Sequence, residues 1–207
     1  EHGFMDRPTE DVDLFTTQSA QHKFAPALER VVAALQEAGY DVEIREQHPC
    51  FSRLVLSRGS AEPAVTVDLG VDWRAEDPVR LAVRPVLAPD DAVGNKVAAL
   101  FSRGEARDYL DVDRIRASGR YQDRRLIELG HRADLGFEIT QFVRRLEEVG
   151  RIQPFEVAIY EVSPEQLRAV KDRCLAWARE LCARPVGDPI PPCGQVADSD
   201  GMPDPRN

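Results

Sequence analysis

"RPTEDVDLFT", residues 7–16, sets two aspartates one residue apart inside a stretch that otherwise reads as a β-strand. Residues two apart on a strand point to the same side. Asp11 and Asp13 therefore project together, while Val12 and Leu14 point the other way. Those two and Phe15 are expected to be core material. Carboxylates are costly to bury unless paired, and two neighbouring ones repel, raising the pKa of at least one unless a cation sits between them. Magnesium is the usual partner, because it takes carboxylate oxygens and keeps its other positions for water and phosphate.

A second strand carries the same kind of signal. In "AVTVDLGVD", residues 64–72, Val65, Val67, Leu69 and Val71 alternate with Thr66, Asp68 and Asp72. Asp68 lies mid-strand, where a solvated carboxylate is hard to sustain, and Asp72 shares its side near the strand end. Carboxylates from two neighbouring strands, here Asp11, Asp13 and Asp68, suit a pair of magnesium ions about 3.5–4 Å apart, an arrangement that aligns attacking and leaving oxygens in nucleotidyl transfer. Asp68 also suits the general base on an incoming hydroxyl.

Between and beyond these strands the elements alternate. Residues 24–39 read as a helix, with Pro26 in its first turn, apolar residues at helical spacing and Gly39 as its stop. Strands are expected at Asp41–Arg45, Phe51–Ser57 and Ala64–Val71, with "RGS" at 58–60 as a hairpin turn between the last two. A further extended run is expected over Val79–Val86. Asp90 or Asp91 is expected to cap a helix over about 92–102. From residue 105 the pattern is helical, and Ser163, Pro164 and Gln166 form a capping-box start. The tail from Pro185 holds six of the fifteen prolines and reads as disordered. The order predicts an α+β fold: a mixed β-sheet with flanking helices, followed by a helical half. The expected divisions are 1–104, a helical subdomain at 105–184, and a tail at 185–207.

Composition narrows the class. The 207 residues are 43% hydrophobic and 30% charged, ordinary for a globular protein, with neither a membrane-length apolar run nor a signal-peptide pattern. Four cysteines without a CxxC spacing point to reduced thiols in a cytoplasmic protein. The net charge of −9 is uneven: residues 1–95 hold 9 Lys/Arg against 17 Asp/Glu, whereas residues 96–151 hold 12 against 10. That is unlike a general nucleic-acid coat protein. It suits a site gathering metal cations beside a surface that tolerates phosphate, and equally a solvated acidic face.

Lys96 lies on the apolar side of its helix with Ala92 and Leu100, either as a snorkelling side chain or as a point charge delivered to a triphosphate. Arg103, Arg107, Asp108 and Asp111 follow. Asp108 reads either as the partner of a nearby basic residue or as the group orienting Lys96 or Arg107.

Taken together, "RPTEDVDLF" and Lys96 with "RGEARDYLD" (103–111) resemble the motifs of the AbiEii/AbiGii-type nucleotidyltransferases. These include the MenT-like toxins and belong to the DNA polymerase β superfamily. The resemblance covers roughly residues 2–115 by motif and the helical remainder by type. It implies a nucleotidyltransferase fold and a magnesium-dependent enzyme. The catalytic residues would be Asp11, Asp13, Asp68, Lys96 and Asp108, with Asp11, Asp13 and Asp68 binding metal. Thr9, Lys96, Arg103 and Arg107 would contact the nucleoside triphosphate, and the Thr9 hydroxyl would lie near enough to touch it or be modified. The family's glycine–serine phosphate cradle has no counterpart near Gly3 and is expected upstream of Glu1. Family members are toxins of toxin–antitoxin systems, some adding nucleotides to the tRNA acceptor end. The expected partners are therefore a nucleoside triphosphate, tRNA and a cognate antitoxin, with no membrane. The helical arginines Arg114, Arg116, Arg120, Arg124, Arg125, Arg132, Arg144 and Arg145 read either as a tRNA-binding surface or as members of ion pairs. Transfer to a small molecule or a protein hydroxyl, and a catalytically inactive nucleotide-binding or antitoxin-binding module, are the alternative readings.

Overall fold

A computed structural model of the chain describes residue 3 and residues 11–59, 64–81 and 85–183. Arg7, Thr9, Cys193 and the tail from residue 185 lie outside the described residues. The elements run β1 (Asp11–Thr17), a 3₁₀ turn, α1 (Phe24–Glu37), β2 (Asp41–His48), β3 (Phe51–Ser57), β4 (Val65–Asp72), β5 (Val79–Arg80) and β6 (Pro85–Val86). The helices α2 (Pro89–Ser102), α3 (Ala106–Ala117), α4 (Asp123–Ala133), α5 (Ile139–Glu147), α6 (Pro154–Val157) and α7 (Pro164–Ala183) follow. The expected α+β class holds.

β1 to β4 form one sheet in the order β1-β4-β3-β2, with β1 parallel to β4 and the other pairs antiparallel. The alternation read in the sequence holds on β4, and β3 alternates in the same way. Leu54, Leu56, Val67 and Leu69 are buried under Phe24 and Leu28 of α1, so one side of the sheet is apolar. β2 closes the far edge; it is charged and mostly exposed, which discourages pairing with another chain.

Three expectations are corrected. Val12, Leu14 and Phe15 are not core: they are 45%, 46% and 41% exposed. β1 has a single neighbour, and the cluster under α1 includes neither Val12 nor Leu14. Phe15, on the acidic side, instead lies across Gly70, whose absent Cβ would sit 3.3 Å from the ring. Second, Val79–Val86 is not one strand but two two-residue strands paired antiparallel; Pro85 has no N–H to donate to a longer ladder. Third, α2 starts at Pro89 with Ala88 as its N-cap. Pro89 supplies a preset φ for the first turn, leaving Asp90 and Asp91 inside the helix. Asp91 accepts hydrogen bonds from the Ala75 and Glu76 amides at 3.1 and 3.0 Å, and Asp90 pairs with Arg125 and accepts from the Tyr121 hydroxyl.

The helices build a second apolar cluster around Val97, Leu100, Tyr109, Phe142, Leu146 and Trp177. α2 and α4 cross at glycines: a Cβ on Gly94 would lie 2.8 Å from the Leu129 carbonyl, and one on Gly130 would lie 2.6 Å from Val97. The capping box at Ser163 forms as read, with Gln166 N–H donating to Ser163 Oγ and Ser163 N–H to Gln166 Oε1. Cys50, Cys174 and Cys182 are free thiols, and burial pushes the Cys174 thiol up to about 12. Among the described residues no helix is long and apolar enough to cross a membrane.

Candidate active site

The parallel register sets Asp11 opposite Thr66 and Asp13 opposite Asp68. Asp11, Asp13 and Asp68 therefore stand on one side of two adjacent strands, the side opposite α1. Asp13 is the pivot. Its pKa is raised by burial first and then by repulsion from Asp11 and Asp68, while Lys96 and Arg107 pull it down. Residues from β1, β4, α2 and α3 thus act on one carboxyl group.

The cations reach this point by separate routes. Asn95 Nδ2 donates to Asp72 Oδ2 at 3.3 Å, tying α2 to the end of β4, so that Lys96 follows on the adjoining position. Lys96 Nζ lies 3.0 Å from Asp111 Oδ2, and the Asp111 side chain is only 1% exposed. A buried carboxylate thus fixes a lysine that is itself a third exposed. Arg107 sits between Glu105 at 3.0 Å and Asp11 at 4.0 Å.

Asp108 stands elsewhere. It is fully buried, accepts two bonds from Arg103 at 2.9 and 2.8 Å, and accepts the Glu105 amide in the capping box that starts α3. Its partner is therefore a nearby basic residue, Arg103, and the residue that orients Lys96 is Asp111. Arg103 is correspondingly committed to Asp108, and that pairing raises its own pKa. Gly104, at φ +59°, ends α2 and allows this tight passage into α3.

The family described as nucleotidyl transferase AbiEii toxin, type IV toxin–antitoxin system, matches residues 1–181. The chain belongs to this AbiEii family. Among solved structures, the chain is similar to MenT4, a nucleotidyltransferase toxin of Mycobacterium tuberculosis. The TM-score is 0.50 at 15% identity, over 86% of this chain and 70% of that one. It is also similar to JHP933 of Helicobacter pylori, with a TM-score of 0.47 at 18% identity over 87% and 78% of the two chains. No curated protein matches. As an AbiEii member the chain is a nucleotidyltransferase toxin, and a nucleoside triphosphate is its substrate.

Two features of this AbiEii site escaped the sequence. One is the Lys96–Asp111 pair; Asp108 and Asp111 are both acids of α3, and their helical spacing alone does not say which one meets Lys96. The other is Arg53, which lies opposite Asp68 in the β3–β4 register and donates to both of its oxygens at 2.8 and 2.6 Å. A mid-strand arginine in "FSRLVLS" was the available signal, meaningful only once the register is known. Among the described residues no three Asp, Glu, His or Cys side chains are arranged to hold a metal ion.

The donor set nevertheless fits magnesium by chemistry. It consists of hard carboxylate oxygens, and the repulsion that raises the Asp13 pKa is the kind a divalent cation relieves. Of the helical arginines, Arg116, Arg124, Arg125, Arg132 and Arg145 all pair with carboxylates, which fills their charge within the chain.

Proposed function

We propose that this toxin transfers nucleotides from a nucleoside triphosphate to the acceptor end of tRNA, blocking translation in the cytoplasm until a cognate antitoxin intervenes. The observation that carries the catalytic part is that Asp13 stands beside Asp11 and opposite Asp68 in the β1–β4 register, with Arg107 4.0 Å from Asp11. The tRNA acceptor rests on the family resemblance of the two sequence motifs. Asp11, Asp13 and Asp68 hold magnesium, two ions in the scheme favoured here. Bound magnesium neutralises charge on the triphosphate and makes an attacking hydroxyl more acidic.

The chain's own groups do the rest. Lys96, fixed by Asp111, and Arg107 hold the triphosphate. Asp68 accepts the proton of the acceptor hydroxyl as its oxygen bonds to the α-phosphorus and the bond to pyrophosphate breaks in line. Asp108 and Arg103 support the site by holding the start of α3.

Incubating the protein with each labelled nucleoside triphosphate, magnesium and total RNA should label a tRNA-sized band. Label in protein or a small molecule, or none at all, would defeat the tRNA reading. The Lys96 assignment has its own check. Asp111→Asn keeps the shape but removes the charge that orients Lys96, so kcat/KM is expected to fall about ten- to hundred-fold, the usual cost of small misplacement in a site. An unchanged kcat/KM would remove the orienting role.

A further inference from the structure

Arg53 holds both oxygens of Asp68 in a parallel, two-pronged contact, the geometry in which guanidinium binds carboxylate most firmly. Asp68 is only 14% exposed by side chain, while Arg53 is 46% exposed. The carboxylate is therefore fixed and the arginine has somewhere to go. The Arg53 guanidinium lies 5.7 Å from the Phe51 ring centroid. Glu46 is its register partner on β2, so a released arginine has an alternative carboxylate beside it.

An oxygen that accepts two-pronged contact from guanidinium is not available to a metal ion on the same lone pairs. We propose that Arg53 is a positioning residue that occupies Asp68 in the metal-free protein and is displaced when magnesium binds, so that metal affinity is set by competition between the ion and Arg53 for one carboxylate. This rests on the assignment of Asp68 as a metal ligand. The contact keeps Asp68 paired at rest, when an unpartnered carboxylate in so enclosed a place would be costly, and it makes assembly of the metal site conditional on releasing Arg53.

The test is calorimetric titration of the full chain with Mn²⁺ alone, without nucleotide. Asp13→Asn should weaken Mn²⁺ binding; if it does not, the metal assignment fails and this proposal with it. Given that loss, Arg53→Ala should tighten Mn²⁺ binding about five-fold, the upper range for a solvent-accessible ion pair. Arg53→Lys retains the charge without the two-pronged contact and should tighten it less. A structural role for Arg53 predicts the reverse, since a disordered Asp68 binds metal less well. Unchanged or weaker Mn²⁺ binding in both Arg53 variants, with the folded far-UV spectrum retained, overturns the proposal.

Discussion

Asp13→Asn should abolish nucleotidyl transfer and at the same time stabilise the metal-free protein at neutral pH. Losing a ligand removes several kcal/mol of charge stabilisation in the transition state, a rate loss of about a thousand-fold or more. The stability effect follows from the raised pKa of Asp13. Between the ordinary value of 3.8 and the raised folded value, the folded state binds more protons than the unfolded chain. Stability therefore falls as pH rises through that window, and the cost is fully present above it. Asparagine removes the cost. The gain is small, because Asp13 is partly exposed and solvent screens the repulsion. Thermal unfolding in a chelator should give the variant a higher Tm at pH 7, with the difference fading on acidification toward the ordinary carboxylate value. Adding magnesium should reverse the order, because the parent binds it more tightly and gains more from binding. Retained activity would sink the metal assignment, and an equal or lower Tm at pH 7 would sink the account of Asp13.

Gly94→Leu should strongly destabilise the helical part of the protein. At Gly94 a Cβ would meet the Leu129 carbonyl at 2.8 Å, and a carbonyl in the middle of α4 cannot swing aside. Leucine has to push α2 from α4, breaking the interlock with Gly130 and Val97. Overpacking of this kind costs about 3 kcal/mol, which lowers Tm by roughly 6–12 °C in a domain of this size. The better helix propensity of leucine returns at most about 1 kcal/mol. Because α2 also carries Asn95 and Lys96, activity should fall further than stability alone explains, while Mn²⁺ binding at Asp11 and Asp13 survives. A variant that melts with the parent would show that the crossing is looser than its geometry implies.

The sheet was legible because its signals are local. Alternation in "AVTVDLGVD" placed Asp68 on the polar side of β4, and the spacing of Asp11 and Asp13 put both on one side of β1. The cover over that strand was not legible: Val12 and Leu14 carry an apolar pattern whether or not a helix reaches them, and α1 stops at β4. The cap of α2 was misjudged because Pro89 competes with Asp90 and Asp91 for the helix start, and both acids find partners elsewhere. Arg53 and Asp111 depend on register and on helix packing. Both are long-range facts that a residue's neighbours in sequence do not encode.

The sheet with α1 and the helices from α2 onward have separate apolar clusters, and the acids of the site come from one while Lys96 and Arg107 come from the other. What joins them near the site is polar: Asn95 to Asp72, the Asp91 carboxylate to two loop amides, and Arg107 toward Asp11. On the proposed assignment, activity depends on this joint rather than on either apolar cluster, so a small shift of the sheet against α2 and α3 is expected to disarm the enzyme without unfolding it.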